Sequence, residues 1–362
     1  MRSKPVYRVE KKHSRFLRLN IRRSFLKPIN VGIIGVSGYT GLELVKILLL
    51  HPIFNLTYCA NTEGAANIAE LHPSLTGVCD MAVEKVDLDT AARSCELVFL
   101  ALPHKTAMNT ARGLLERGVK VVDLSADYRL SQENYEAFYC EHEDIDNLSH
   151  AVYSIPELHG NIASGAKLVA NPGCHVTASL LALAPFLEYI DHTAPIFVDS
   201  KTGVSGAGKS PTAGVHYVSV NDNINCYNII KHRHAIEIQQ HASALCDADV
   251  RVTFVPSLVP MTRGMLACVY ATLKEECDPQ AVMQDFYANQ PFVRVRNEPP
   301  HTKMTSGTNF ADVYAQRNGN ALVAICAIDN LMRGASSQAV VNANIMMGLD
   351  EALGIPKIAY VP

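Results

Sequence analysis

Apolar positions follow two different rhythms along this chain. Residues 31–36 form a short apolar run, the turn Ser37-Gly38-Tyr39-Thr40-Gly41 follows, and residues 42–51 then carry a helical pattern that Pro52 stops. Further buried strands are expected at residues 54–60, 97–102 and 119–124, with a helix over 106–117 that Gly118 ends. Strands alternating with helices in this way predict an α/β fold with a parallel, doubly wound sheet.

The rhythm changes after about residue 150. A strand over residues 167–170 leads into Asn171-Pro172-Gly173-Cys174, and a long helical pattern covers 176–189. Residues 196–200, 250–256, 264–273 and 321–328 read as strands with fewer helices between them. This predicts an α+β part with a mixed sheet. The small-residue segment 334–349 reads as a closing helix.

Composition narrows the class without changing this picture. Of 362 residues, 48% are apolar and 19% charged, which suits a globular chain with a sizeable core. No apolar run reaches the ~18–20 residues of a membrane span, so no membrane partner is expected. Net charge is −3, but residues 1–30 hold ten Lys/Arg against Glu10 alone. The remainder is therefore acidic and a poor electrostatic match for nucleic acid. Residues 1–29 read as a basic extension that is expected to be disordered. It is an inert extension, an organelle transit peptide or a binding arm; a transit peptide would mean organellar import, and otherwise a cytoplasmic location is expected. Ten cysteines without a C-x-x-C pair point to a reducing compartment and mostly to small core residues.

The turn Gly35-Val36-Ser37-Gly38-Tyr39-Thr40-Gly41 follows the first strand and opens a helix. Glycines there let the backbone approach a pyrophosphate, and the helix presents free N–H groups and a positive dipole end. This is the context of a Rossmann-type dinucleotide-binding domain. The second strand ends in Cys59-Ala60-Asn61-Thr62, uncharged where NAD enzymes place an acid, so NADP(H) is the expected cofactor. A second loop, Gly203-Val204-Ser205-Gly206-Ala207-Gly208-Lys209, does not have P-loop spacing; it reads equally as a phosphate-facing backbone loop or a surface turn.

Cys174 stands at a strand-to-helix junction, unlike the other nine cysteines. The helix dipole is expected to favour its thiolate, the nucleophilic form. A proton donor and acceptor must lie near it. Lys231-His232-Arg233-His234-Ala235-Ile236-Glu237 supplies imidazoles, with Glu237 three residues after His234 and expected to orient it if the segment is helical. With no third ligand evident in the sequence, no metal is expected.

Gly35–Gly41, Asp123-Leu124-Ser125-Ala126-Asp127-Tyr128-Arg129, Asn171–Cys174, Gly203–Gly208, His232–Glu237 and Asp329-Asn330-Leu331 occur in one order. In that order the chain resembles the N-acetyl-γ-glutamyl-phosphate reductase family from about Val31 onward, and more loosely the aspartate-semialdehyde dehydrogenases. The resemblance implies an NADPH-dependent reduction of an acyl phosphate through a Cys174 thioester, a step of arginine biosynthesis. It implies that Cys174, His232, His234 and Glu237 are catalytic, with His232 preferred as acid/base. Gly35, Ser37, Gly38, Tyr39, Thr40, Gly41, Asn61, Ser205, Gly206 and Asn330 would face the cofactor, and Arg129 and Asn171 the substrate. Residues 30–173 and 331–362 would form the nucleotide domain and 174–330 a catalytic and dimerisation domain, in a homo-oligomer, dimer or tetramer. The chain departs from the family's usual Tyr-Pro after the cysteine, with His175-Val176, and has Ala235-Ile236 before Glu237. The rival readings are the same chemistry on a sibling acyl phosphate, a dinucleotide-binding regulator without turnover, and a thiol hydrolase or acyltransferase.

Overall fold

The computed structural model describes residues 27–361. Most of the basic extension expected over residues 1–29 lies outside the described residues. Within them the chain builds two seven-stranded sheets.

The first sheet takes strands β1 (Ile29–Ile34), β2 (Phe54–Asn61), β3 (Glu84–Lys85), β4 (Leu97–Leu100), β5 (Lys120–Asp123), β6 (Val152–Tyr153) and β7 (Leu168–Ala170). Their spatial order is β3-β2-β1-β4-β5-β7-β6, and every neighbouring pair is parallel. The centre strands β4 and β7 are buried at every position, as expected where helices cover both faces. The order reverses between β1 and β4, so a crevice opens at the C-terminal ends of these two strands, where open α/β sheets bind ligands. The helix Tyr39–Leu50 starts there.

The second sheet takes β8 (Ile196–Gly203), β9 (Asn225–Cys226), β10 (Val252–Val259), β11 (Met265–Thr272), β12 (Val293–Val295), β13 (Ala311–Asn318) and β14 (Ala321–Ile328). Its order is β12-β13-β14-β11-β8-β10-β9. The β8–β10 and β12–β13 pairs are parallel and the rest antiparallel, giving the mixed sheet expected from the sequence. The helix Cys174–Leu183 packs on β11 and β14, and all its positions after Cys174 are buried.

Two expected helices differ in detail. The pattern over 176–189 breaks at Pro185, which cannot donate to the ladder, and a 3-10 turn Ala184–Phe186 follows the helix. The segment 334–349 begins as a π-helical turn, Met332–Ser336, before the α-helix Ser337–Met346. That last helix is buried all round and shares the core of the first sheet with Val31, Ile33 and Phe99. Asn342 in it bonds back to the first half of the chain: its Nδ2 donates to Ser154 O and Asn171 Oδ1, each at 3.1 Å. The last helix thus returns to the first sheet and holds the loop that carries Cys174.

Candidate active site

Cys174 is the first residue of its helix, and Gly173 caps that helix without a side-chain hydrogen bond. The free N–H groups of the first turn face the thiol's surroundings. Gly173 is required by crowding: a Cβ there would lie 2.6 Å from His234 Nε2 and 3.0 Å from Arg129 Nη1. Gly334 of the π-turn abuts from the other side, where an added Cβ would lie 2.7 Å from Cys174 Cβ. Cys174 is therefore wedged between the Gly173 turn and the π-turn.

A cavity of about 330 Å³ opens above it, lined by Cys174, His234, Arg129, Asn330 and the turn Gly38–Thr40, among others. Cys174 keeps partial solvent contact. Burial nevertheless pushes its thiol up to about 11, against the lowering by backbone N–H groups of the helix start and by Arg129. The expectation of a stabilised thiolate is corrected here: desolvation outweighs the dipole in the ligand-free site. His234 is driven well below the usual imidazole range, first by burial and then by His232, His175 and Arg129. Both shifts favour the neutral forms, a thiol and an imidazole.

The helix His234–Cys246 starts at His234, which leaves His232 outside it. His232 Nδ1 accepts the His234 backbone N–H at 3.2 Å, and His232 does not line the cavity. Position therefore favours His234 over His232 as the acid/base. Glu237 does not orient His234. Its Oε1 accepts from Gly173 N at 3.0 Å and from the Tyr153 hydroxyl at 3.2 Å, and its Oε2 meets Arg129 Nη1 at 3.4 Å. His234 Nδ1 is buried without a partner. Glu237 acts on the Cys174 turn and on Arg129 instead.

Arg129 is almost fully buried, and its Nη2 donates to Leu124 O at 2.6 Å. Its Nε is buried without a hydrogen-bond partner, while the residue as a whole lines the cavity. Asn171 lines the cavity, and each end of its amide holds the turn: Nδ2 donates to Ala335 O at 3.1 Å and Oδ1 accepts from Asn342. Asn330 is similar, with Oδ1 accepting from Gly264 N at 2.8 Å and Nδ2 donating to Ser205 Oγ at 3.0 Å. It thereby places Ser205 and Gly206 on the cavity wall.

The glycine turn fits a dinucleotide. Gly35 has φ +94°, and a Cβ there would lie 2.3 Å from Ala101 O. Gly38 caps the helix with no side-chain hydrogen bond, and a Cβ on it would meet nothing nearer than 3.9 Å. The Gly38 N–H donates to Gly35 O at 3.4 Å, so free N–H groups beside this open space come from the helix start at Tyr39 and Thr40. Gly35 and Gly41 shape the turn and Ser37 backs it, none of the three lining the cavity. Asn61 ends β2, but its Oδ1 accepts from Glu63 N and Gly64 N at 3.0 and 2.6 Å, so it shapes its own loop.

Two cavity residues escaped the sequence reading. Lys209 Nζ reaches Ser37 O at 3.1 Å and brings a cation to the glycine turn. His104 accepts the Ala126 N–H at 2.9 Å, and burial lowers it to about 4. The Gly203–Lys209 loop signalled Lys209 only as one of two open readings; nothing near His104 in sequence marks it.

Residues 30–165 match the semialdehyde dehydrogenase NAD binding domain, and residues 174–330 the semialdehyde dehydrogenase dimerisation domain. An N-acetyl-gamma-glutamyl-phosphate reductase of Sulfurovum sp. is 56% identical over 92% of this chain and 100% of its own length. The chain belongs to the N-acetyl-γ-glutamyl-phosphate reductase family. The family's Sulfurimonas denitrificans reductase is likewise 56% identical, over 93% of this chain and 100% of its own length. Among solved structures, the fold of this reductase family member is shared with aspartate semialdehyde dehydrogenase II of Vibrio cholerae in complex with ASA. That similarity has TM-score 0.68 at 14% identity, covering 89% of this chain and 99% of that one. The Candida albicans aspartate semialdehyde dehydrogenase with NADP has TM-score 0.65 at 15% identity, covering 88% and 98%.

Proposed function

We propose that this protein reduces N-acetyl-γ-glutamyl phosphate to N-acetylglutamate 5-semialdehyde with release of phosphate, a step of arginine biosynthesis, with NADPH as reductant. One observation carries the reading. A helix-start thiol, a neutral imidazole, a buried guanidinium and a glycine turn share one cavity.

Cys174 attacks the acyl carbon while His234 takes the thiol proton. Phosphate leaves and a thioester remains on Cys174. Arg129, on the cavity wall, holds a substrate oxyanion. The N–H groups at Tyr39 and Thr40 would hold the cofactor pyrophosphate, with Lys209 beside them, and NADPH would supply the hydride that reduces the thioester carbonyl. The resulting thiohemiacetal collapses, the aldehyde departs, and His234 returns the proton to sulfur. NADP over NAD is supported by the uncharged end of β2 at Asn61 and by Lys209 at the turn. The nucleotide unit is read as residues 30–173 with 331–362, and the catalytic unit as 174–330.

Among the described residues no helix is long and apolar enough to cross a membrane. A homo-oligomer is supported by the dimerisation-domain match and by exposed Tyr217, Val218, Ile224 and Ile230 on the excursion between β8 and β10.

The deciding experiment runs the reaction backwards. Phosphate-dependent NADP reduction is measured with N-acetylglutamate semialdehyde, aspartate semialdehyde and N-acetyl-aminoadipate semialdehyde, with NAD in parallel. The first aldehyde with NADP should dominate, and Cys174→Ser should abolish turnover. Faster turnover of another aldehyde, or turnover without Cys174, overturns the reading.

A further inference from the structure

The sequence offers two neighbouring histidines and no third metal ligand; the fold supplies the missing ones. One ligand atom from each of Cys174, His175 and His234 lies within 4.8 Å of the other two. A thiolate and two imidazoles are the donor set of a borderline-soft cation such as Zn²⁺.

Two further observations point to a ligand here. His234 Nδ1 is buried with no hydrogen-bond partner, a polar atom of one cluster residue left unsatisfied. His175 is buried, and its Nδ1 pairs with Ser200 Oγ at 2.7 Å. Such a contact fixes the ring and its tautomer, as outer partners do for zinc-ligating histidines. The second ring nitrogen, Nε2, meets only the Tyr227 hydroxyl at 3.2 Å. His175 does not line the substrate cavity, so the reduction itself gives this imidazole no task.

We propose that Cys174, His175 and His234 form a binding site for a thiophilic divalent cation, Zn²⁺ first, with its fourth position open to the cavity. Binding forms one S–Zn and two N–Zn bonds. The Cys174 proton leaves to solvent, and the Tyr227 hydroxyl gives up its bond to His175 Nε2. No electrons are transferred. Tetrahedral zinc holds such donors about 3.3–3.6 Å apart, so the three atoms draw together by about 1 Å. The bound ion occupies nucleophile and base together and switches the enzyme off reversibly. That consequence for turnover rests on the reading of Cys174 as nucleophile; ion binding does not.

The test uses the full chain, with Zn²⁺ competed against a chromophoric chelator and Co²⁺ as a spectroscopic stand-in. Wild type should bind one ion per chain, show thiolate-to-cobalt absorption, and protect Cys174 from alkylation until EDTA is added. His175→Tyr should keep metal-free turnover and bind zinc roughly a hundredfold more weakly, since loss of an outer partner alone costs about 10–100-fold. Ser200→Ala, about tenfold weaker on the same basis, carries the test if His175→Tyr does not fold. Unchanged zinc affinity in the folded variant, or unprotected Cys174 at saturating zinc, overturns the site. Intact cobalt absorption in a protein that turns over none of the semialdehydes would instead overturn the reductase reading alone.

Discussion

Glu237 Oε1 accepts a 3.0 Å hydrogen bond from the backbone nitrogen of Gly173, the residue immediately before Cys174. The same carboxylate meets Arg129 at 3.4 Å, with both side chains almost wholly buried. One acid therefore sets both the turn that presents the thiol and the guanidinium assigned to the substrate. Glu237→Gln keeps an acceptor for Gly173 but leaves Arg129 as a buried, uncompensated charge. Breaking such a pair costs about 3–5 kcal/mol. The variant should lose that order of stability in urea unfolding and show a raised KM for the acyl phosphate.

The two histidines should separate kinetically. A general base contributes about 10²–10⁴-fold, so His234→Asn should lower kcat by that order. His232→Asn retains an acceptor for the His234 N–H and should lose far less. Stopped assays on both variants check this; equal losses would return the acid/base role to the pair.

Cysteine labelling should not follow reactivity by role. Cys226 is exposed, whereas Cys174 is only partly so. At neutral pH a small alkylating agent should modify Cys226 first. Cys174 labelling should keep rising toward about pH 11, where its thiol ionises in the free enzyme. Mass spectrometry of digests across pH reads both, and loss of activity should track only Cys174.

Asp123 gives a stability signal of definite sign. It is wholly buried, and desolvation raises its carboxyl to about 7, against lowering by hydrogen bonds from Ser125. The folded state holds the proton more tightly than the unfolded chain does. Its contribution is thus full below about pH 4 and is lost as pH rises through about 7, with a limiting slope of about 1.4 kcal/mol per pH unit. Asp123→Asn should remove that part of the slope. Urea midpoints at intervals across the window, wild type against variant, measure the difference.

What the sequence reveals is what local chemistry encodes. The turn from Gly35 to Gly41 and the helix start at Cys174 are legible because a glycine spacing and a strand-to-helix switch occupy a few consecutive residues. Edge strands of two residues, such as Glu84–Lys85 and Asn225–Cys226, carry no period to read. The eight-residue β13 is missed for another reason: Asp312, Gln316, Arg317 and Asn318 break its apolar run, and Asp312 is buried against Arg294. Glu237 is the instructive case. Its helical spacing to His234 is real, but its partners come from Gly173, Tyr153 and Arg129, which only the tertiary fold brings near. The thiol's resting state was misjudged likewise, because a helix start is visible in sequence and burial depth is not.

Gly334 has a consequence in time rather than in space. The wall against Cys174 is built from a residue 160 positions later in the chain, and the adjoining Arg333 is paired with buried Glu157. During synthesis the thiol leaves the ribosome long before its wall is made. A chain released short of that turn would carry the nucleophile without the pocket that governs it. Such fragments should show an easily alkylated Cys174 and no reductase activity, so the catalyst comes into being only near the end of its own translation.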